Sequence, residues 1–166
     1  MLSKLFKNRT VNNKFPIFAP IDGEIIPLEE VPDPVFSEKI IGEGIAIHPI
    51  GSTITSPVDG TILQVFPTKH AIGIRDNNGI EILIHIGLDT VNLNGEGFTS
   101  YVQEGDKVVL GDKLISFDLE KIKEKRKDTI IPIIITNSDK FKEISSCEKS
   151  SVISQKDEIL SLIADK

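Results

Sequence analysis

Short runs of β-branched residues, most of them isoleucine, recur along the chain from Phe15 onward. Glycine, proline, aspartate and asparagine separate these runs about every eight to twelve residues, a spacing typical of an all-β sandwich or barrel. The runs fall at 44–47, 72–74, 80–86, 108–110, 114–117 and 130–136. The pattern therefore predicts an all-β fold of antiparallel strands, with one or two short helices.

Helical patterns are scarce in this sequence. The best candidate spans residues 119–127, where Asp118 can serve as the N-cap, and a second turn is expected at 139–144. Residues 1–14 are polar and contain only a few large apolar side chains, three of which (Leu2, Leu5 and Phe6) share one helical face. We therefore divide the chain into a flexible N-terminal arm, 1–14, and a single domain, 15–166, and expect at most weak peripheral contact with a membrane through residues 1–12.

An internal repeat marks the β pattern. Residues 20–25 (PIDGEI) recur as residues 57–62 (PVDGTI), and each Pro-x-Asp-Gly predicts a turn between strands, because proline fixes φ and glycine accepts a left-handed conformation. Two similar Gly-Asp-Lys steps within residues 104–114 predict a further hairpin. The two copies indicate a duplicated β-motif.

Composition narrows the classes of function. The 166 residues carry 19 Lys and Arg against 25 Asp and Glu, a net charge of −6, which disfavours nucleic acid as a partner. The single cysteine, Cys147, excludes an internal disulfide and a cysteine zinc site, and it fits a reducing compartment. No apolar run approaches the roughly 18–20 residues needed to span a bilayer, and no secretory signal is present. We expect a cytoplasmic protein.

Two of the three histidines flank one predicted hairpin loop, residues 76–79. If Asn77 and Asn78 form the centre of the turn, His70 and His85 face each other across adjacent strands. If the centre shifts by one residue, His85 faces Ile72 and His70 is its diagonal neighbour. Only a loop of odd length would place the two rings on opposite faces.

The predicted surroundings of these histidines suggest an outward, partly apolar face. Ile72 and Ile74 accompany His70, and Leu83 accompanies His85, whereas the alternate positions carry the better core candidates: Ile80, Ile82, Ile84 and Ile86. With an ordinary pKa near 6.5, both imidazoles are mainly neutral at pH 7. One ring can attack phosphorus while the other stabilises the charged oxygens, or the two can bind zinc together with a partner's carboxylate. We assign no chemistry to His48, which proline follows.

Residues 79–91 (GIEILIHIGLDTV) closely resemble the phosphohistidine motif of the glucose-type enzyme IIA of the bacterial sugar phosphotransferase system. The resemblance continues in 94–98 and 105–106, and it includes 33–39 and 44–47 upstream. It covers the chain from about Phe15 to the C-terminus. The Met1 start and the absence of membrane segments look like the stand-alone form of this component.

The resemblance implies a β-sandwich with its active site in a shallow apolar depression. It implies that His85 accepts a phosphoryl group on Nε2 from the phosphocarrier protein HPr and passes it to a cysteine of the IIB domain of a sugar permease. His70 matches the second active-site histidine, Thr68 the threonine that orients it, and Gly87 the carbonyl that receives the His85 Nδ1 proton. No cofactor is required, zinc being expected only at a partner interface. Regulation of other target proteins remains open.

The same resemblance implies a docking patch for partners. Apolar lining positions match Val35, Phe36, Ile40, Ile41, Phe66, Leu83 and Val91, and acidic rim positions match Asp33 and Asp89. The chain departs from the usual pattern at Pro34, where an aliphatic residue is common, and at Leu83, where phenylalanine is common. These departures affect the range of partners more than the chemistry.

Two alternatives compete with this assignment. A lysostaphin-like zinc endopeptidase has a related sandwich, but its site needs a His-x-His pair, and the neighbours of His85 are Ile84 and Ile86. A biotinyl- or lipoyl-type carrier domain would share the Pro-x-Asp-Gly and Gly-Asp turns. Such a carrier presents its lysine at a hairpin tip, usually beside Met or Asp, and no Asp-Lys-Ala or Met-Lys-Met tip occurs here.

Overall fold

The computed structural model describes residues 14–125 and 127–164, and this part of the chain is built mainly from antiparallel strands. The strands are β1 (Lys14–Phe18), β2 (Gly23–Pro27), β3 (Glu43–Pro49), β4 (Thr53–Thr55), β5 (Gly60–Val65), β6 (Ala71–Asp76), β7 (Glu81–His85), β8 (Phe98–Ser100), β9 (Lys107–Val108), β10 (Lys113–Phe117), β11 (Ile131–Ile135), β12 (Phe141–Ser146), β13 (Ser151–Val152) and β14 (Glu158–Ala164). The all-β prediction is confirmed. Strand β1 begins at Lys14, and the rest of the predicted arm lies outside the described residues.

Two short α-helices accompany the strands in the described part: α1 (Pro34–Ser37) and α2 (Leu119–Glu124). Asp118 caps α2 as predicted, its Oδ1 accepting from the Lys121 N–H at 3.1 Å, although the helix ends before residue 127. The second expected turn occupies Ser138–Lys140, and the residues after it form β12. No helix among the described residues is long and apolar enough to cross a membrane.

Most strands belong to one eight-stranded sheet with the order β13-β2-β3-β11-β7-β6-β5-β9. Two three-stranded sheets, β1-β14-β12 and β4-β10-β8, complete the fold. One face of the large sheet packs into the main core, where Ile80, Ile82, Ile84 and Ile86 are fully buried, as the alternation predicts. The other face carries a smaller apolar cluster, whose buried residues are Leu28, Val31, Phe36, Ala46, Leu88, Ile130 and Ile134.

The internal repeat corresponds to a real structural duplication. Counted inward from the two edges of the large sheet, the strands β13, β2, β3 and β11 correspond to the strands β9, β5, β6 and β7. Asp22 Oδ1 accepts from the Ser154 N–H at 2.8 Å, and Asp59 Oδ1 accepts from the Leu110 N–H at 2.7 Å. The two Pro-x-Asp-Gly turns thus make the same connection in each half, and the predicted duplicated motif is confirmed.

The glycines of these turns serve a different purpose from the one expected. Neither Gly23 nor Gly60 has a positive φ; instead, a Cβ on Gly60 would collide with the carbonyl of Arg75, and one on Gly23 with the carbonyl of His48. Glycine is needed there because the neighbouring strand approaches so closely. The hairpin predicted within 104–114 is also wrong, because β9 pairs with β5 whereas β10 pairs with β4 and β8.

Candidate functional site

The hairpin of β6 and β7 places His85 at the end of β7, opposite Ala71. Asp76 fixes the loop: its Oδ1 accepts from the N–H groups of Asn78 and Ile80 at 2.9 and 2.8 Å, while Gly79 has a φ of 90°. The resulting loop has an odd number of residues. Both registers considered from the sequence, with either His70 or Ile72 opposite His85, are therefore wrong.

The two imidazole rings nevertheless lie side by side, with centroids 5.0 Å apart and planes 79° apart. An odd loop places facing side chains on opposite faces of the sheet only where both residues belong to the paired strands. His70 precedes β6, so this rule does not apply to it. It follows a turn in which Lys69 has a φ of 58°, and its carbonyl accepts from the Ile86 N–H at 2.7 Å. Strand alternation therefore does not set the direction of the His70 side chain.

This geometry also corrects the predicted surroundings of the histidines. Ile72 and Ile74 lie in the main core and do not share a face with His70. Leu83 is half-buried on the same side of β7 as His85, as expected. The neighbours that contact the rings are aromatic: Phe36 lies 5.1 Å from His85 between centroids, and Phe66 lies 5.6 Å from His70.

Each histidine uses its Nδ1 atom in a local hydrogen bond. His85 Nδ1 lies 2.7 Å from the carbonyl oxygen of Gly87, and His70 Nδ1 lies 2.6 Å from Thr68 Oγ1. A carbonyl can only accept, so His85 Nδ1 carries the proton and its Nε2 holds a lone pair. The contacts implied for Thr68 and Gly87 are thus present in the structure.

Both histidines are held neutral near pH 7. Burial, reinforced by the charge that His85 can carry, lowers the pKa of His70 to about 4. Burial also lowers the pKa of His85, although the Gly87 carbonyl and the carboxylate of Asp33 oppose this shift. A neutral imidazole with a free lone pair can act as a nucleophile.

Phe36 is placed differently from an exposed docking anchor. Its side chain is 4% exposed and packs against the imidazole of His85, within the smaller apolar cluster. Helix α1 directs it inward and its neighbour Val35 outward. Phe36 therefore supports His85 from below, and a partner cannot bury its ring further.

The other apolar positions of the predicted patch separate into two groups. Val35, Ile40 and Val91 are exposed, at 41%, 68% and 45% respectively. Ile41, Phe66 and Leu83 are half-buried. The exposed group offers apolar surface to a partner, and its role in docking stays a prediction.

The two acidic rim residues have partners within the chain. Asp33 Oδ1 accepts from the Val35 N–H at 3.0 Å and so caps α1. Asp89 lies 2.7 Å from Lys127 Nζ, and this hydrogen bond lowers the pKa of the Asp89 carboxyl. A basic group on a partner would share the Asp89 carboxylate with Lys127. The sequence analysis did not identify Lys127 as a neighbour of the site.

Thr90 is a second residue that the sequence analysis missed. It is buried, and its Oγ1 donates to the carbonyl of Ile86 at 2.6 Å, immediately after His85. A threonine in the turn that follows a candidate histidine is the sequence signal for such a contact.

No group of three or more His, Cys, Asp or Glu side chains in 14–125 or 127–164 is arranged to hold a metal ion. His70 and His85 could together supply only two of the four ligands that zinc usually takes in proteins.

Comparison with known proteins agrees with this geometry. A family model described as "phosphoenolpyruvate-dependent sugar phosphotransferase system, EIIA 1" matches residues 15–141. The PTS system glucose-specific EIIA component of Oceanobacillus iheyensis is 52% identical over 164 residues, covering 98% of this chain and 99% of that protein. The protein of the same name from Staphylococcus aureus (strain COL) is 48% identical over 154 residues, covering 92% of this chain and 93% of that protein. The solved glucose permease IIA from Mycoplasma capricolum superimposes with a TM-score of 0.83 at 42% identity, covering 91% of this chain and 97% of that one.

Proposed function

Because the chain belongs to the EIIA 1 family of the phosphoenolpyruvate-dependent sugar phosphotransferase system, we propose that His85 is the residue on which it carries the phosphoryl group. Phosphoryl transfer from HPr toward a IIB domain is the role of this family, and the chain is a phosphocarrier of that system. The comparisons give no support to the zinc endopeptidase or to the biotinyl- or lipoyl-type carrier.

One observation carries the assignment of His85: its Nδ1 donates to the Gly87 carbonyl at 2.7 Å. The Nε2 lone pair attacks the phosphorus carried by HPr, so that an Nε2–P bond forms as the bond to HPr breaks. The Nδ1 proton stays in its hydrogen bond throughout. In the second step a cysteine thiolate of the IIB domain attacks phosphorus, and the electrons of the Nε2–P bond return to the ring as a lone pair.

His70 stabilises the group in transit. In the tautomer that we propose, the Thr68 hydroxyl donates to His70 Nδ1, and the proton of the neutral ring on Nε2 is a donor for a phosphoryl oxygen. Its pKa of about 4 keeps it from becoming a cation near neutral pH in the unphosphorylated protein. Catalysis by this pair consists mainly of positioning and charge stabilisation, as phosphoryl transfer requires.

HPr and the IIB domain would use the same apolar surface in turn, formed by Val35, Ile40 and Val91. The names of the relatives make glucose the first sugar to test. The same proposal includes relay in the cytoplasm and further regulatory partners. It also includes zinc held by both histidines together with a partner's carboxylate.

The test separates the two half-reactions. Wild-type protein, His85→Ala and His70→Gln are incubated with enzyme I, HPr and phosphoenolpyruvate, and then with a soluble IIB domain. His85→Ala should accept no phosphate, whereas His70→Gln should accept it and donate it far more slowly. Stoichiometric phosphorylation of His85→Ala on a single histidine would refute the assignment.

A further inference from the structure

The Ile86 peptide groups connect the two histidines. Ile86 is fully buried; its N–H donates to the His70 carbonyl at 2.7 Å, and its own carbonyl accepts from Thr90 Oγ1 at 2.6 Å. Ile86 follows the last residue of β7, so its carbonyl has left the strand ladder. The Thr90 hydroxyl supplies the hydrogen bond that this buried carbonyl requires.

Thr90 also touches the residue that follows. Gly87 has a φ of 76°, and a Cβ there would lie 2.6 Å from Thr90 Cγ2 and 2.7 Å from the Asp128 carbonyl oxygen. The Leu88 N–H donates to the same Asp128 carbonyl at 3.0 Å. The Thr90 methyl therefore limits Gly87 on one side, while Asp128 holds the chain on the other.

We propose that Thr90 is a positioning residue: its hydroxyl holds the Ile86–Gly87 peptide and so fixes φ at Gly87, which directs the carbonyl of the next peptide, Gly87–Leu88, toward the Nδ1 proton of His85. Without the hydroxyl, the Ile86 carbonyl would be buried with no partner, which is unfavourable. Rotation of this peptide relieves the cost, and glycine, lacking a Cβ, resists rotation least. The rotation changes φ at Gly87 and thereby turns the Gly87–Leu88 peptide, which moves the Gly87 carbonyl away from His85 Nδ1 and weakens its hold on the tautomer.

The proposal rests on the proposed function only for its effect on transfer, because the tautomer is measured without any phosphate. Thr90→Val removes the hydroxyl and keeps the shape, and Thr90→Ser keeps the hydroxyl. Thr55→Val is the matched control: Thr55 Oγ1 donates to the Pro20 carbonyl at 3.2 Å, in a sheet that contains neither histidine. The ring-nitrogen NMR shifts of His85 report which nitrogen is protonated.

We expect Thr90→Val to convert His85 from the single Nδ1–H form to a mixture, and to slow acceptance from HPr by at least about tenfold. Thr90→Ser and Thr55→Val should keep the wild-type ring shifts. A folded Thr90→Val with wild-type ring shifts would overturn the proposal. Altered shifts, in a protein whose wild type takes no phosphate on His85, would support the positioning role and refute the proposed function instead.

A measurement on the wild-type protein covers the case in which Thr90→Val does not fold. A buried, hydrogen-bonded hydroxyl proton exchanges slowly enough with water to be observed by proton NMR. The Thr90 hydroxyl should give such a resonance, and exchange as fast as that of an exposed hydroxyl would overturn the proposal.

Discussion

In the proposed relay, the two histidines of one site have different roles, and their hydrogen-bond partners account for the difference. His85 faces a carbonyl, which can only accept, so its Nε2 is left as the nucleophile. His70 faces a hydroxyl, which can donate or accept; in the proposed tautomer it donates, and His70 Nε2 keeps a proton for the phosphoryl oxygens. The distinction between nucleophile and donor thus resides in Gly87 and Thr68, each two residues after or before the ring that it orients.

The low pKa of His70 makes folding sensitive to acid. Its folded pKa of about 4 lies below the ordinary value near 6.5, so the unfolded chain binds a proton first as the pH falls. The unfolding free energy that depends on a neutral His70 is fully present above pH 6.5 and is lost progressively as the pH falls toward 4. Between pH 7 and pH 5 the wild type should lose about 2 kcal/mol more unfolding free energy than His70→Gln. Urea titrations at the two pH values measure this difference, and identical losses in the two proteins would contradict it.

Among the secondary-structure elements, helix α1 places two adjacent residues in different surroundings. Phe36 packs under His85 within the smaller apolar cluster, and Val35 faces solvent. Removal of the first should affect folding, whereas removal of the second should affect only binding.

Phe36→Ser should therefore lower the unfolding free energy by about 3 kcal/mol or more, as truncation of a buried aromatic side chain does. This expectation replaces the one that treats Phe36 as a surface anchor. Val35→Ser, its matched control, should change stability by less than about 0.5 kcal/mol but weaken binding to HPr and to IIB. Thermal unfolding and calorimetric titration test both variants. Equal stability of Phe36→Ser and the wild type would contradict the burial of this ring.

Sequence patterns predict the strands better than they predict how the strands meet. The alternation of Ile80, Ile82, Ile84 and Ile86 identifies the core face of β7 correctly. The register depends on Asp76, whose carboxylate closes an odd loop, and a one-residue change of this kind leaves no trace in hydrophobicity. Helix α1 is only four residues long, too short for a periodic pattern that would separate Phe36 from Val35.

At the scale of the whole molecule, the described residues form a duplicated β-motif in which one half carries both histidines of the site. His70 and His85 belong to the hairpin of β6 and β7, while α1, between β2 and β3, supplies the phenylalanine beneath them. The smaller apolar cluster also combines residues of both halves, such as Ala46 and Leu88. The site therefore depends on the correct packing of the two copies.

Substitution of the two repeated glycines, Gly23 and Gly60, tests whether each half of the motif has the same close approach between strands. Gly60→Ala should be strongly destabilising, because its Cβ would collide with the Arg75 carbonyl and lie 2.8 Å from the Asp76 Cα. Gly23→Ala should behave similarly against His48. Gly73→Ala is the control: its Cβ would meet only Leu63 Cβ, at 3.8 Å, so stability should change by less than about 1 kcal/mol. Denaturant midpoints measure all three, and a neutral Gly60→Ala would refute the close approach of the strands.

We propose that the phosphoryl group is carried on Nε2 of His85, because the Gly87 carbonyl holds the proton on Nδ1. The most direct measurement is nitrogen and phosphorus NMR of the isotope-labelled protein after phosphorylation by enzyme I, HPr and phosphoenolpyruvate. We expect phosphorus coupled to His85 Nε2, with Nδ1 still protonated. Phosphorus bonded to His85 Nδ1, to His70 or to Cys147 would contradict it.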